Sequence, residues 1–362
     1  MRRFFIAVIL SLVLQGCGSI PTLWGEDALP VLPTVQVPQV IPPATETATM
    51  TVAPSATSTW TPTPTLAPSL TPLPTLYFSP TPDSPAARIK RVIVITYDGL
   101  RADAVAAAPM KNLLGLMETG AHAAPAARTI NYAVTLPAHA SLFSGLCQSK
   151  HGVDWDVTTY YRGYSKGVDV WDLAHAAGLK TVMVVNKEKL RQLAEPETTD
   201  VFKLVYGIES TIMKNAIDEL PADFSLMFVH FGSGDNRGHK YGWMSTWQLK
   251  AYRDGDAALG DLLTALDENN MRDSTLIIVT ADHGGHGTGH VGTVDEDLLI
   301  PWVISGPGVQ QGEITVPVSI MDTAPTIAYA LELPFQSEWD GLPVYAAFGL
   351  PQPYVHEGRI CK

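Results

Sequence analysis

The sequence predicts an α/β fold with a mostly parallel central sheet and helices on both faces. Three observations carry this. Apolar runs rich in β-branched residues recur at residues 91–96, 181–185, 226–231, 275–280 and 300–304. Helically spaced stretches separate them, the clearest at 246–269, where Leu249, Tyr252, Leu259, Leu262, Leu263 and Leu266 share a face. Acidic residues stand just past three of the runs. Strands apolar on both sides are buried on both faces, and alternation with helices supplies the crossovers that parallel strands need. No internal repeat is visible.

Not all of the chain belongs to such a fold. Residues 1–16 carry Arg2 and Arg3, then an apolar run from Phe4 to Leu14. This is the layout of a secretory signal, and it is too short to span a bilayer comfortably. The run ends in Leu14-Gln15-Gly16-Cys17, which resembles the lipobox of bacterial lipoproteins. That resemblance implies a lipidated Cys17 as the mature N-terminus and an extracytoplasmic protein anchored to the cell membrane. An ordinary cleaved signal or an uncleaved anchor is the alternative. Residues 17–86 include Thr59-Trp60-Thr61-Pro62-Thr63-Pro64-Thr65 and are Pro/Thr/Ser-rich with almost no charge. They read as an extended, disordered linker or stalk. The folded domain is expected over 87–362. Cys147 and Cys361 could pair in an oxidising compartment.

The formal net charge is −12, and loss of Arg2 and Arg3 with the signal makes it −14 (−12 − 2). That balance argues against nucleic acid as a general partner. It also gives no long-range attraction to anions, so a phosphate site would need local positive charge, which metal ions provide.

The chemistry-bearing residues follow the strands. Asp98 comes after residues 91–96; Asp235 comes after 226–231, with His239 four residues on; Asp282 comes after 275–280, with His283 adjacent. Ligand crevices of open α/β sheets lie beyond the carboxyl ends of their strands. A lone Asp there is usually a turn residue or helix cap. Three, two of them with a nearby His, are hard to explain as turns. In Val134-Thr135-Leu136-Pro137 the proline suits a first helical turn and places Thr135 at or just before a helix N-terminus. Thr135 is then either an ordinary cap or a nucleophile at the positive end of a helix dipole, activated by metal coordination.

These pieces together resemble the alkaline phosphatase superfamily, specifically its type I phosphodiesterase/nucleotide pyrophosphatase branch. The resemblance runs from about Arg88 to the C-terminus. It is carried, in family order, by Tyr97-Asp98-Gly99, Thr135-Leu136-Pro137, Asp235 with Gly238-His239, Asp282-His283-Gly284 and Gly289-His290. It implies an alkaline phosphatase-like catalytic domain with two divalent metal ions. Asp98, Asp282, His283 and the Thr135 hydroxyl would hold one; Asp235, His239 and His290 would hold the other. Mixed carboxylate and imidazole donors suit zinc, with manganese or iron also compatible. His290 is preferred over His286 because it precedes the run at 300–304 as the family's final histidine does. The glycines let this loop fold back tightly on the metal. His122, His139, His151 and His175 match no metal role and are expected to pack; His356 is expected at the surface.

One position departs from the family. Where an asparagine usually binds the phosphoryl oxygen, five residues after His151, this chain has Asp156. Trp155, Tyr160 and Tyr161 beside it would flank a leaving group or simply pack. The implied reaction is hydrolysis of a small phosphorylated substrate through a phosphothreonine at Thr135. A phosphomonoesterase or phosphonate hydrolase is the alternative within the superfamily, and a catalytically silent surface-binding lipoprotein the alternative outside enzymes. Sulfatases share the fold but use a Cys-x-Pro-x-Arg-like motif. Thr135-Leu136-Pro137-Ala138-His139 has neither that nucleophile nor the arginine.

Overall fold

The computed structural model describes residues 85–352 and residue 361. The expected signal segment, and the expected stalk up to residue 84, lie outside the described residues. Among those described, ten strands form two sheets. They are β1 (Arg91–Tyr97), β2 (Ala121–Ala123), β3 (Ala127–Arg128), β4 (Thr181–Val185), β5 (Val201–Leu204), β6 (Leu226–Phe231), β7 (Thr275–Thr280), β8 (Leu299–Ile300), β9 (Trp302–Ser305) and β10 (Gly312–Ile314). The large sheet has the order β10-β2-β9-β7-β1-β6-β4-β5, and β3 pairs with β8 in the small one.

The central strands are the five apolar runs of the sequence, with one exception. β1, β4, β6 and β7 are buried at every position. They are consecutive in the sheet and all parallel. The run at 300–304 is not one strand. Pro301 has no N–H to give to a ladder, so Ile300 pairs with Ala127 in the small sheet while Trp302–Ser305 joins β7 antiparallel. The strands β2, β5 and β10 escape a search for apolar runs because they are short and mixed, as in Ala121-His122-Ala123 or Val201-Phe202-Lys203-Leu204.

Alternation along β6 shows how both faces are covered. Phe228 meets Phe143 of the helix Thr135–Ser144 edge-on at 4.8 Å, and Phe143 meets Trp171 of the helix Val170–Ala176. Phe231, three residues on, points to the opposite face. There it packs on Tyr97, whose hydroxyl donates to the Gly255 carbonyl of the helix Thr246–Glu268. Ser245 caps that long helix through the Gln248 N–H.

The register places the site. Thr96 stands opposite both His230 and Thr280, and Tyr97 opposite Phe231. Strand neighbours lie about 4.8 Å apart. The first residues past β7, β1, β6 and β4 are therefore forced to one edge of the sheet, side by side. The helix Thr135–Ser144, buried at all ten positions, brings its first residue to that edge. Cys147 just beyond it is disulfide-bonded to Cys361.

Candidate metal centre

Asp98, Asp235, Asp282, His283 and His290 are all buried at the strand edge. They form two overlapping groups of donors, Asp98 with Asp282 and His283, and Asp235 with His283 and His290. His239 lies outside both groups but beside the second, its Nε2 3.2 Å from Asp235 Oδ1, and is more open at 47% side-chain exposure. His290 Nε2 lies 3.8 Å from the same oxygen, and the His283 and His290 rings stack at 3.8 Å. His286 stands outside. Its ring is 55% exposed and bonds Asp297 at 2.7 Å. Gly284 and Gly285 let this loop close, because a Cβ at either would lie about 2 Å from its neighbours (2.0 Å from Glu296 O and 2.1 Å from the Trp243 indole).

Each donor is half committed to the protein and half bare. Asp98 Oδ2 accepts from His230 Nε2 at 2.9 Å and lies 2.6 Å from Lys187 Nζ. Asp235 Oδ2 accepts from Lys187 at 2.7 Å. Asp282 Oδ1 accepts from the N–H groups of Gly99 and His283 at 3.1 and 3.0 Å. The other oxygens, Asp98 Oδ1, Asp235 Oδ1 and Asp282 Oδ2, are buried without a hydrogen bond, and so is His283 Nε2. The three histidines point Nδ1 at backbone carbonyls: His239 at Thr288, His283 at Gly284 and His290 at Ala133. A carbonyl only accepts, so Nδ1 carries the proton and Nε2 presents its lone pair. Buried bare acceptors are costly without a partner. A cluster of them facing one another has the donor chemistry of a divalent-metal centre, and the residues fit such an ion.

The electrostatics point the same way. Burial pushes the Asp98 carboxyl up, but Lys187, His230 and His283 hold it well below the usual carboxylate range. Burial and Asp98 push Asp235 up, yet His239 and Lys187 hold it down to about 2. Burial and the charge of Asp98 leave Asp282 well above the usual range. Burial acts to lower the Lys187 ammonium, but Asp98 and Asp235 raise it further, so it stays charged. Burial and His283 bring His290 down to about 4, keeping it neutral as a ligand must be.

Thr135 opens its helix after an extended Val134 and is 1% exposed. Lys187 Nζ lies 3.4 Å from its hydroxyl. His139, expected only to pack, lies directly under the site. Its Nδ1 donates to the Thr135 carbonyl at 2.8 Å and its Nε2 accepts from Thr96 at 2.9 Å. Asp156 is close by and already has partners. Its Oδ1 accepts the Leu136 N–H at 2.8 Å and its Oδ2 pairs with Lys189 at 2.7 Å. Trp155 is buried against the Arg162 guanidinium, whereas Tyr160 and Tyr161 are exposed, Tyr161 at 91%.

Sequence reasoning missed Lys187, Lys189 and His230. The strand-end rule that found the aspartates applies equally to β4, where Asn186-Lys187 follows Val185. His230 lies inside β6, where its burial is indistinguishable by pattern from that of Phe228.

His151 holds the turn that leads to Asp156. Its Nδ1 accepts the Val153 N–H and its Nε2 donates to Ser141 Oγ. Burial brings it down to about 4, against about 6.5 in an unfolded chain. As pH falls, the unfolded chain takes up this proton first. The contribution is thus complete above pH ~6.5 and is lost towards pH 4, on the order of 3 kcal/mol. Chemical denaturation across that range should show the loss, and His151→Gln should flatten it. An unchanged pH slope in the variant would exclude His151 as a source.

A family model described as type I phosphodiesterase / nucleotide pyrophosphatase matches residues 92–300. The mouse ectonucleotide pyrophosphatase/phosphodiesterase family member 7 is 27% identical over 236 residues, covering 56% of this chain and 51% of that protein. The chain thus spans about half the length of the curated relatives it matches. Two solved structures share the fold at 14% identity. One is an inactive threonine-to-alanine variant of murine ectonucleotide pyrophosphatase / phosphodiesterase 5 in complex with AMP, with a TM-score of 0.58 over 68% of this chain and 96% of that one. The other is a phosphonate monoester hydrolase from Silicibacter pomeroyi, with a TM-score of 0.59 over 73% and 78%. The family match takes in the Asp98, Thr135, Asp235 and Asp282 elements and more than half of the sequence, and this chain belongs to the type I phosphodiesterase / nucleotide pyrophosphatase family.

Proposed function

We propose that this chain is a two-metal hydrolase of phosphate esters, of the phosphodiesterase/nucleotide pyrophosphatase type, acting through a phosphothreonine at Thr135. The observation that carries it is the set of bare buried atoms, Asp98 Oδ1, Asp235 Oδ1, Asp282 Oδ2 and His283 Nε2, together with Lys187, whose ammonium contacts Asp98 and Asp235 and lies 3.4 Å from Thr135 Oγ. Asp98, Asp282, His283 and Thr135 would hold one ion, and Asp235, His239 and His290 the other. Zinc suits these donors best, with manganese as the alternative. The ions, when bound, supply Lewis-acid charge stabilisation and an activated hydroxyl.

The chain's own residues do the rest. Thr135 Oγ attacks phosphorus, the ester oxygen opposite leaves and takes up a proton, and water then cleaves the phosphothreonine to restore the hydroxyl. The helix N-terminus favours the negative phosphoryl group. His139 fixes the Thr135 backbone, and His230 fixes Asp98. The threonine-to-alanine variant described as inactive in a structural relative supports the assignment of the nucleophile. A monoester or phosphonate substrate is the second reading, favoured by the likeness to a phosphonate monoester hydrolase.

We further propose an extracytoplasmic, lipid-anchored location. The Cys147–Cys361 disulfide supports an oxidising compartment, and Leu14-Gln15-Gly16-Cys17 supports the anchor.

Thr135→Ala should abolish turnover of aryl phosphodiesters, monoesters and phosphonates, with zinc and manganese supplied separately, while circular dichroism and most metal binding stay unchanged. Activity within about tenfold of the parent, a barrier change near 1.4 kcal/mol, would count against covalent catalysis. Asp156→Asn keeps an acceptor for the Leu136 N–H but releases Lys189. The KM for an anionic ester should therefore fall several-fold, and an unchanged KM would place Asp156 outside the binding site. Labelled fatty acid should be incorporated in the parent and lost in Cys17→Ala; equal labelling of both would remove the anchor.

A further inference from the structure

We infer that Lys187 is a specificity-determining residue that matches this centre to a dianionic terminal phosphoryl group, the group of a phosphate monoester. The inference rests on the hydrolase reading above and favours its second form, a monoester substrate, over the diester. Lys187 is delivered by the end of β4, two residues past Val185, and its side chain is only 16% exposed. An ammonium has three N–H groups and no acceptor. One faces Asp98 Oδ2 at 2.6 Å and one faces Asp235 Oδ2 at 2.7 Å. The third has Thr135 Oγ, the oxygen that would carry the phosphoryl group in the proposed reaction, at 3.4 Å.

Lysine and metal do not compete for the same atoms. Lys187 takes the Oδ2 of each aspartate, and the bare atoms are the Oδ1 of each. The lysine is also held in place. The side chain of Asn186, just before it, meets His230 Nδ1 at 2.7 Å, and His230 Nε2 bonds the same Asp98 oxygen that Lys187 faces. Its ammonium is therefore a fixed charge shared by the donor sets of both ions.

The charge count decides what that fixed charge is for. Three carboxylates and two divalent ions sum to one positive charge, which matches the monoanion of a phosphodiester. Lys187 brings the sum to two, which matches a phosphoryl dianion. Lys189 adds nothing, because Asp156 pairs with it at 2.7 Å. In a buried site charges are poorly screened, so a mismatch of one unit discriminates strongly between esters.

The test compares the full chain with Lys187→Met, and with Lys187→Gln should the first variant not fold. It has three readouts: zinc affinity by chelator competition, inorganic phosphate binding to the zinc-loaded protein by calorimetry, and kcat/KM for p-nitrophenyl phosphate and bis(p-nitrophenyl) phosphate. Zinc affinity should be unchanged or tighter, because a competing positive charge is gone. Phosphate binding should weaken at least tenfold, and the monoester-to-diester ratio should fall at least tenfold. Lys187→Arg should recover part of the phosphate binding. Weaker zinc binding with phosphate affinity and ester ratio unchanged would overturn the inference and leave Lys187 as a brace for the two aspartates. A parent that hydrolyses neither ester would sink the hydrolase reading, and the phosphate-binding arm would still decide the role of Lys187.

Discussion

Three carboxylates buried at the ends of three adjacent strands are the constraint on which the rest of the structure depends. Asp98, Asp235 and Asp282 share one crevice, each at most 4% exposed. Among the described residues, Lys187 is the cation that touches two of them. One ammonium can support two ionised carboxylates and not a third. Against the upward push of burial, Lys187 with His230 and His283 holds Asp98 low and His239 with Lys187 holds Asp235 low, while burial and Asp98 push Asp282 high. A buried charge left unpaired costs several kcal/mol. One oxygen of each of the three carboxylates lies buried in this crevice without a hydrogen bond.

Holding like charges together needs a frame that does not give. The frame is the run β7-β1-β6-β4, parallel throughout and buried on both faces. Helices clamp it from each side, through Phe228 and Phe143 on one face and through Tyr97 and Gly255 on the other. A slip of one residue in any of these strands would turn its side chains to the opposite face and carry one charge out of the crevice.

The helix beginning at Thr135 answers the carboxylates from the opposite side. Its N-terminus has unpaired N–H groups and the positive end of a dipole. One of those groups, the Leu136 N–H, is taken by Asp156, which Lys189 also holds. Asp156 and Lys189 thus form an ion pair at the start of this helix. Lys187, on the same short segment as Lys189, sets its ammonium 3.4 Å from the threonine hydroxyl. His139 ties the first turn of this helix to Thr96 of β1, so Thr135 is fastened to the sheet.

Much of this was legible in the linear sequence, and the physical reasons differ from residue to residue. Apolar β-branched runs give strands wherever both faces are covered, so four of the five expected strands kept their limits to within one residue. The fifth divided because Pro301 cannot donate to a ladder. Acidic residues just past such runs, and a threonine before Leu136-Pro137, are visible because chemistry at the strand edge is local in sequence. The choice of His290 over His286 was already legible from its place before the run at 300–304; tertiary structure alone decided that His139 and His230 lie beneath the cluster, that Asp156 meets Lys189, and that Lys187 crosses to Asp98 and Asp235. Each of those contacts joins segments between 20 and 157 positions apart, apart from the local bond of His139 to Thr135. Local pattern reports what a residue's own element requires. Which element lies opposite is set by sheet order and register, and a single sequence carries no signal for those.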